Sequence, residues 1–185
     1  MSYVDELMEA YRKFVSFPWQ PEPAASQRVW MAIYGPEHER RVRLHVRGFQ
    51  AATQEAGHSW ELIDITGVFE RWMADHDYRE EYFESPDLLA TGLPTFFDYL
   101  VLTVRERLLK AADPEGVVGL LGLGTLFGLG AIKGSALLNA VDDAIAGRLL
   151  VFFPGEHEGN LYRLLDARDG WNYLATPIKP NGSNR

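Results

Sequence analysis

The chain contains no cysteine, which excludes disulfides, thiolate metal ligands and a cysteine nucleophile and fits a reducing compartment. It also lacks an excess of positive charge: 18 Lys and Arg stand against 26 Asp and Glu, for a formal net charge of -8. That balance opposes a phosphate backbone, so nucleic acid is not an expected partner. The first residues are acidic early, at Asp5 and Glu6, with no basic region leading into an apolar core; no secretory signal is expected, and the protein is read as cytoplasmic. No long apolar run is present either. The longest uncharged segment, residues 116–132, is interrupted by glycines and marginal for a membrane span, so it is read as core and no membrane partner is expected.

What is present is a globular composition, 46% hydrophobic over 185 residues, enough for one domain with a sizeable core. Leu7, Met8, Tyr11, Phe14 and Val15 recur at helical spacing behind Ser2, whose hydroxyl is placed to cap the first turn, so residues 3–16 are expected to be an amphipathic helix. Pro18, Pro21 and Pro23 make a linker. Residues 28–34 read as a strand ending at Gly35 and Pro36. A helix follows, with Val42, Val46, Phe49, Thr53 and Ala56 on one face, and Gly57 closes it. Residues 60–65 are the next strand, 69–83 a helix, and a long helix is expected from Pro94 to before Pro114. Residues 117–123 read as a buried strand and 135–146 as a helix. Residues 149–153, Leu-Leu-Val-Phe-Phe, read as a strand buried on both faces, stopping in an acidic turn at Pro154 and Gly155. Two further strands, 161–165 and 171–175, are expected around a turn at 166–170, with a frayed tail from Pro177.

Strands alternate with helices, which predicts an α/β fold: a three-layer sandwich with a mainly parallel sheet. The expected organisation is an N-terminal helix and Pro-rich linker over 1–24, a single α/β domain over 25–178 and a flexible tail over 179–185.

Candidate chemistry centres on the loops that leave the strands, where α/β proteins place their sites. Gly122, Gly124, Gly128, Gly130 and Gly134 surround Lys133 and Ser135 between a buried strand and a helix, the context of a phosphate loop. The Walker A spacing is broken, because Ile132 precedes Lys133 and Gly134 separates it from Ser135. A Gly-rich turn that lets a helix lie close to the sheet accounts for the same residues. Two segments repeat Glu-His-Glu after a strand, at Glu37, His38, Glu39 and at Glu156, His157, Glu158. If their strands are neighbours, a divalent ion is conceivable there, but adjacent positions on an extended segment diverge, and solvation and helix-dipole charge explain the acids. Arg40, Arg41, Arg43 and Arg47 read as a solvated helix face paired with Glu37 and Glu39. Asp64 and Thr66 read as a cap at a strand end. Aromatic residues crowd positions 72–99, at Trp72, Tyr78, Tyr82, Phe83, Phe96, Phe97 and Tyr99; core burial and an exposed partner patch are both open readings of them. No catalytic constellation assembles, so no enzyme, cofactor or metal is expected. Should the strand-end loops bind a ligand, the residues would be Gly124, Thr125, Lys133, Ser135, Glu156 and His157.

Gly122-Leu123-Gly124, then Leu137-Leu138-Asn139, then Val151-Phe152-Phe153-Pro154-Gly155-Glu156 with Gly159 and Leu161 to Leu164 after it resemble the BrxB (DUF1788) family of bacteriophage exclusion (BREX) defence systems. With a weaker echo over residues 29–39 the resemblance covers about three quarters of the chain. The sequence departs from the family pattern in its longer Gly-rich segment ending in Lys133-Gly134-Ser135 and in Trp171-Asn172-Tyr173 near the end. The resemblance implies a P-loop-NTPase-like fold without an intact Walker A motif. It implies a non-enzymatic interaction subunit of an antiphage complex, bound to other defence-system proteins such as a PglZ-like protein of alkaline-phosphatase fold. It brings no catalytic residues. The alternative is a nucleotide- or metal-binding regulator or small enzyme that uses the strand-end loops.

Overall fold

The structure is a computed structural model that describes residues 1–130, 132–165 and 170–180. In chain order the helices are α1 (Tyr3–Ser16), α2 (Glu39–Glu55), α3 (Val68–Ala74), α4 (Arg79–Glu84), α5 (Leu89–Lys110) and α6 (Gly134–Val141). The strands are β1 (Val29–Tyr34), β2 (Trp60–Asp64), β3 (Val117–Leu121), β4 (Arg148–Glu158), β5 (Leu161–Leu164), β6 (Trp171–Asn172) and β7 (Thr176–Ile178). Five strands lie side by side in the order β2-β3-β4-β1-β7, every neighbouring pair parallel. This is the α/β fold with a mostly parallel sheet that the alternation predicts.

The strand period of two sorts the sheet into two faces. Trp30, Ala32, Tyr34, Leu150 and Phe152 point to one side and meet α1 and α2. Val29, Met31, Ile33, Leu149, Val151 and Phe153 point to the other and meet α3, α5 and α6. Because β1 and β4 are buried on both sides, both read as continuous apolar runs.

The N-terminal helix belongs to the first of these layers. Ser2 and Asp5 form a capping box, with the Asp5 N–H donating to Ser2 Oγ at 3.3 Å and the Ser2 N–H to Asp5 Oδ2 at 2.9 Å. Val4, Leu7, Tyr11 and Val15 are fully buried against α2 and the sheet. Between α1 and α2 the Tyr11 hydroxyl meets Thr53 Oγ1 at 2.6 Å, and Thr53 donates to the Phe49 carbonyl at 2.8 Å.

Several boundaries differ from expectation. The expected strand end at Phe153 is absent: β4 runs on to Glu158, because its second half leaves β1 and takes β5 as an antiparallel partner, with Glu156 opposite Arg163 and His157 opposite Tyr162. Pro154 has no N–H to offer, but its carbonyl accepts from the Leu165 N–H at 2.8 Å. A Cβ at Gly155 would run into the Arg163 backbone, so glycine is required where the strand changes partners. The helix expected over 69–83 is broken between α3 and α4. α5 starts at Leu89, leaving Pro94 as its sixth residue, since Leu93 and Phe96 are buried with Leu100, Val104 and Leu108 on one continuous stripe. α6 stops at Val141 and tightens into a 3-10 turn over Asp142–Ala144. Two acids at a helix C-terminus oppose its dipole, and there Asp143 instead reaches Arg105 at 2.5 Å. The tail expected from Pro177 begins too early: Thr176–Ile178 is β7, an edge strand beside β1, where a proline is tolerated. The predicted turn at 166–170 falls mostly on residues outside the described ones, as does the tail beyond residue 180.

One helical stretch among the described residues, Pro86–Lys110, has the length and apolar composition of a membrane span, yet one face of it is seated on the sheet.

Candidate functional site

The carboxyl ends of β1 and β4 meet in register, Tyr34 beside Pro154. From β1 the chain turns to α2 on one face, while from β4 it enters the β5 hairpin, whose Tyr162 is buried with the opposite face. Such a reversal opens a crevice at the strand ends and makes this the first place to look for a site. It also brings the two Glu-His-Glu segments to neighbouring strands, the condition for a shared metal.

Their side chains nonetheless part company. His38 stacks on Tyr3 with ring centroids 4.8 Å apart and lies 3.5 Å from Glu37. Glu39 turns inward, accepting from the Tyr34 hydroxyl at 2.6 Å and from Arg43 Nε at 2.7 Å. His157 rests on the Tyr162 ring at 4.4 Å, and its carbonyl accepts from Lys179 Nζ at 2.6 Å. Burial, and then the Lys179 charge, lower the His157 pKa. Glu156 lies 3.6 Å from Arg163. Among the described residues no three His, Asp or Glu stand together in a way that would hold a metal ion.

Three glycines of the glycine-rich segment make close approaches, while Gly128 and Gly130 face open space. Gly122 adopts φ +100°, and a Cβ there would lie 2.7 Å from the Thr66 amide nitrogen. Gly124 faces Pro154, whose Cγ would be 3.3 Å from an added Cβ, and Gly134 faces Leu123 at the same distance. Thr125 donates its hydroxyl to the Gly122 carbonyl at 2.7 Å and so closes the 3-10 turn Leu123–Leu129. Lys133 is exposed and extended ahead of α6, and Ser135 is half-buried on the first turn of that helix. The structure thus brings the Gly124 turn against the base of the β4 hairpin, while Lys133 and Ser135 flank Gly134 at the start of α6.

A polar chain that sequence reading divided among separate roles ties these ends together. Tyr34, Glu39 and Arg43 continue to Asp64, 3.7 Å from Arg43, and Asp64 accepts both the amide of Thr66 at 2.9 Å and its hydroxyl at 2.5 Å. Burial, with the Glu39 carboxylate beside it, pushes the Tyr34 hydroxyl well above its ordinary range. Each charge in this network has a partner within the protein, so the network fixes α2 and the β2 exit to the sheet.

The most open chemistry lies on the outer face of α4 and α5. Tyr78, Phe83, Leu88, Tyr99, Leu102 and Leu109 are all exposed, Phe83 by 72%, Leu102 by 57% and Leu109 by 60%. On α5 and the turn that leads into it, Leu88, Leu102 and Leu109 fall on one seven-residue repeat, which keeps them on one side of a helix. Glu80, Glu81, Glu84, Asp87, Asp98 and Glu106 are also exposed on these elements. The crowded aromatics divide accordingly: Trp72 and Phe96 are buried and join the core with partly buried Tyr82 and Phe97, whereas Tyr78, Phe83 and Tyr99 face out.

No family model, curated protein or solved structure matches this chain. The site therefore stands on geometry. Sequence reading left burial and exposure of the aromatics equally open and missed the leucines; the available signal was that α5 is apolar on two sides, with Leu88, Leu102 and Leu109 spaced by multiples of seven opposite the buried stripe. Of the basic cluster, Arg40, Arg41 and Arg47 are exposed and Arg43 is paired with Glu39.

Proposed function

We propose that this protein is a non-enzymatic interaction subunit of a bacterial antiphage complex of the BREX type, acting in the cytoplasm and docking a partner protein through the outer face of α4 and α5. The observation that carries the reading is the set of exposed apolar side chains itself. Six large apolar side chains are exposed on α4, α5 and the turns leading into them, whereas soluble monomers rarely expose extended apolar patches without a use for them. Among the exposed charged residues of these elements, the six acids Glu80, Glu81, Glu84, Asp87, Asp98 and Glu106 outnumber the three bases Arg79, Arg107 and Lys110, an excess of negative charge beside the apolar side chains. Such an excess suits a partner segment that combines apolar side chains with Lys or Arg, and it opposes the negative surface of a membrane.

The strand ends support the same reading. The loop from β1 to α2, where a P-loop-like fold would place its phosphate loop, carries Glu37 and Glu39 and no Lys, Ser or Thr. Three of the glycines after β3, Gly122, Gly124 and Gly134, are taken up by close approaches to Thr66, Pro154 and Leu123, while Gly128 and Gly130 face open space. We read the fold as P-loop-like with the nucleotide site lost, in keeping with the BrxB resemblance of residues 122–124, 137–139 and 151–156. On this reading the partner is another defence-system protein, a PglZ-like protein of alkaline-phosphatase fold being the first to test.

The experiment is co-purification of the chain with a PglZ-like protein, beside titration calorimetry of the chain alone with nucleotides and divalent metals. A stable complex and calorimetric silence are expected. Micromolar nucleotide binding abolished by Lys133→Ala would overturn the proposal in favour of a ligand-binding regulator built on Gly124, Thr125, Lys133 and Ser135.

A further inference from the structure

At the opposite, amino end of the sheet lies a pocket of about 190 Å³ whose lining includes Phe17, Trp19, Gln20, Trp30, Thr176 and Arg148. Arg148 opens β4 and is only 6% exposed. Its guanidinium lies over the Trp19 ring, 5.0 Å from the centroid, and 6.0 Å from that of Trp30. It donates to the Gly147 carbonyl at 3.0 Å and to the Gln20 carbonyl at 2.8 Å. Both acceptors are neutral, and among the described residues no carboxylate lies within 4.0 Å of it.

This is an unusual place for a positive charge. Buried cations are ordinarily paired with an anion, because desolvation of the ion costs several kcal/mol. Here the charge that acts on it has the same sign: Arg28, which donates to the Ile145 and Ala146 carbonyls at 2.7 and 3.0 Å. Burial, and then Arg28, push the Arg148 pKa down. Within a chain of net charge -8, Arg28 and Arg148 at this end of the sheet form no ion pair with any of the described residues. A guanidinium is a planar fork of five N–H donors matched to a carboxylate, and the two carbonyl bonds leave donors to spare.

We propose that this pocket binds a small aryl carboxylate, its carboxylate on Arg148 and its ring among Phe17, Trp19 and Trp30. Size sets the limit on the ligand: about 190 Å³ falls below the roughly 300–1,000 Å³ of sites for drug-sized molecules, so a single ring is the fitting body. The carboxylate has two possible sources, a free aromatic acid or the aromatic C-terminus of another chain. An adjoining groove of about 410 Å³ between α1 and β7 shares Phe14 and Phe17 and is lined by Lys13 and Lys179, although the Lys179 ammonium is held by the His157 carbonyl at 2.6 Å.

The test is titration of the full chain with benzoate and with its uncharged isostere benzamide, read by tryptophan fluorescence, since Trp19 and Trp30 line the site, and checked by calorimetry. Saturable binding of benzoate is expected, with benzamide weaker by roughly tenfold or more, the usual worth of a charge-assisted hydrogen bond. Arg148→Gln should abolish the difference between the two compounds. Should that variant fail to fold, Phe17→Ala, which truncates a side chain 66% exposed at the rim, should weaken benzoate binding while leaving the fold intact. N-acetylphenylalanine and its amide separate the two sources: preference for the free acid at least equal to that for benzoate assigns a chain terminus, and binding of benzoate alone assigns a free aromatic acid. Equal affinity for benzoate and benzamide, or no saturable response to any of the four compounds, would overturn the proposal.

Discussion

Replacing Tyr11 and Thr53, singly and together, tests whether α1 is a structural member of the sheet's first layer. Tyr11 and Thr53 are both fully buried. Thr53 gives its proton to the Phe49 carbonyl at 2.8 Å, so in the 2.6 Å contact the Tyr11 hydroxyl must be the donor. Tyr11→Phe removes that donor and leaves Thr53 still bonded, a loss of about 1 kcal/mol, the net worth of an ordinary intramolecular hydrogen bond. Thr53→Val keeps shape and β-branching but strands the tyrosine hydroxyl in a dry interface, which costs about 1–3 kcal/mol. In the double variant no polar group is stranded, so its destabilisation should fall short of the sum of the two by about 0.5 kcal/mol or more. Urea unfolding followed by tryptophan fluorescence measures this directly, with a common m-value confirming that the comparison is two-state. Strictly additive losses, or a Thr53→Val variant as stable as the parent, would refute the placement of α1 against α2.

Gly122→Ala and Gly128→Ala should act in opposite directions: the first forces a Cβ onto the Thr66 backbone at φ +100°, while the second enters open space at ordinary φ and should stabilise by about 0.4–1 kcal/mol through the unfolded chain, both read from denaturant midpoints. Phe152→Ala, emptying a fully buried site between β4 and α2, should cost about 3–5 kcal/mol in the same assay. His157 titrates below its ordinary 6.5 in the folded protein, so the unfolded chain takes up a proton that the folded one resists. Its contribution is therefore intact above pH 6.5 and is lost as pH falls from there toward the lower folded value. His157→Gln should flatten that part of a stability-against-pH profile.

The parts of this fold that were legible in the sequence are those where one local pattern decides the outcome. The stripe of Leu7, Tyr11 and Val15 behind Ser2, and the apolar run of 149–153, announce a helix and a doubly buried strand without knowledge of the rest of the chain. Where tertiary pairing decides, sequence reading fell short. Pro154 and Gly155 look like a strand end, yet β5 supplies a new antiparallel partner and the strand continues through them. Pro94 looks like a helix start, yet the stripe from Leu93 to Leu108 carries the helix across it. The same limit governs the sites. Glu37 to Glu39 and Glu156 to Glu158 do reach adjoining strands, but Tyr3, Tyr34, Arg43 and Tyr162 claim their side chains; of those partners Tyr3 is remote in sequence, and the others lie four or five residues away but carry no spacing signal for a metal. Arg148 reads as an ordinary basic residue before a strand; only the fold shows it buried between two tryptophans.

The proposal that α4 and α5 present a docking face is tested most directly by measuring complex formation between the purified chain and a PglZ-like protein by light scattering after gel filtration. Leu102→Glu and Leu109→Glu are compared with the parent, and circular dichroism confirms that both variants are folded. Both leucines are well exposed, so the substitutions should leave folding unchanged and abolish the complex, and raising salt should weaken the parent complex by screening the excess of acids on α4 and α5. A complex that survives both substitutions, or a parent chain that elutes alone, would contradict the account.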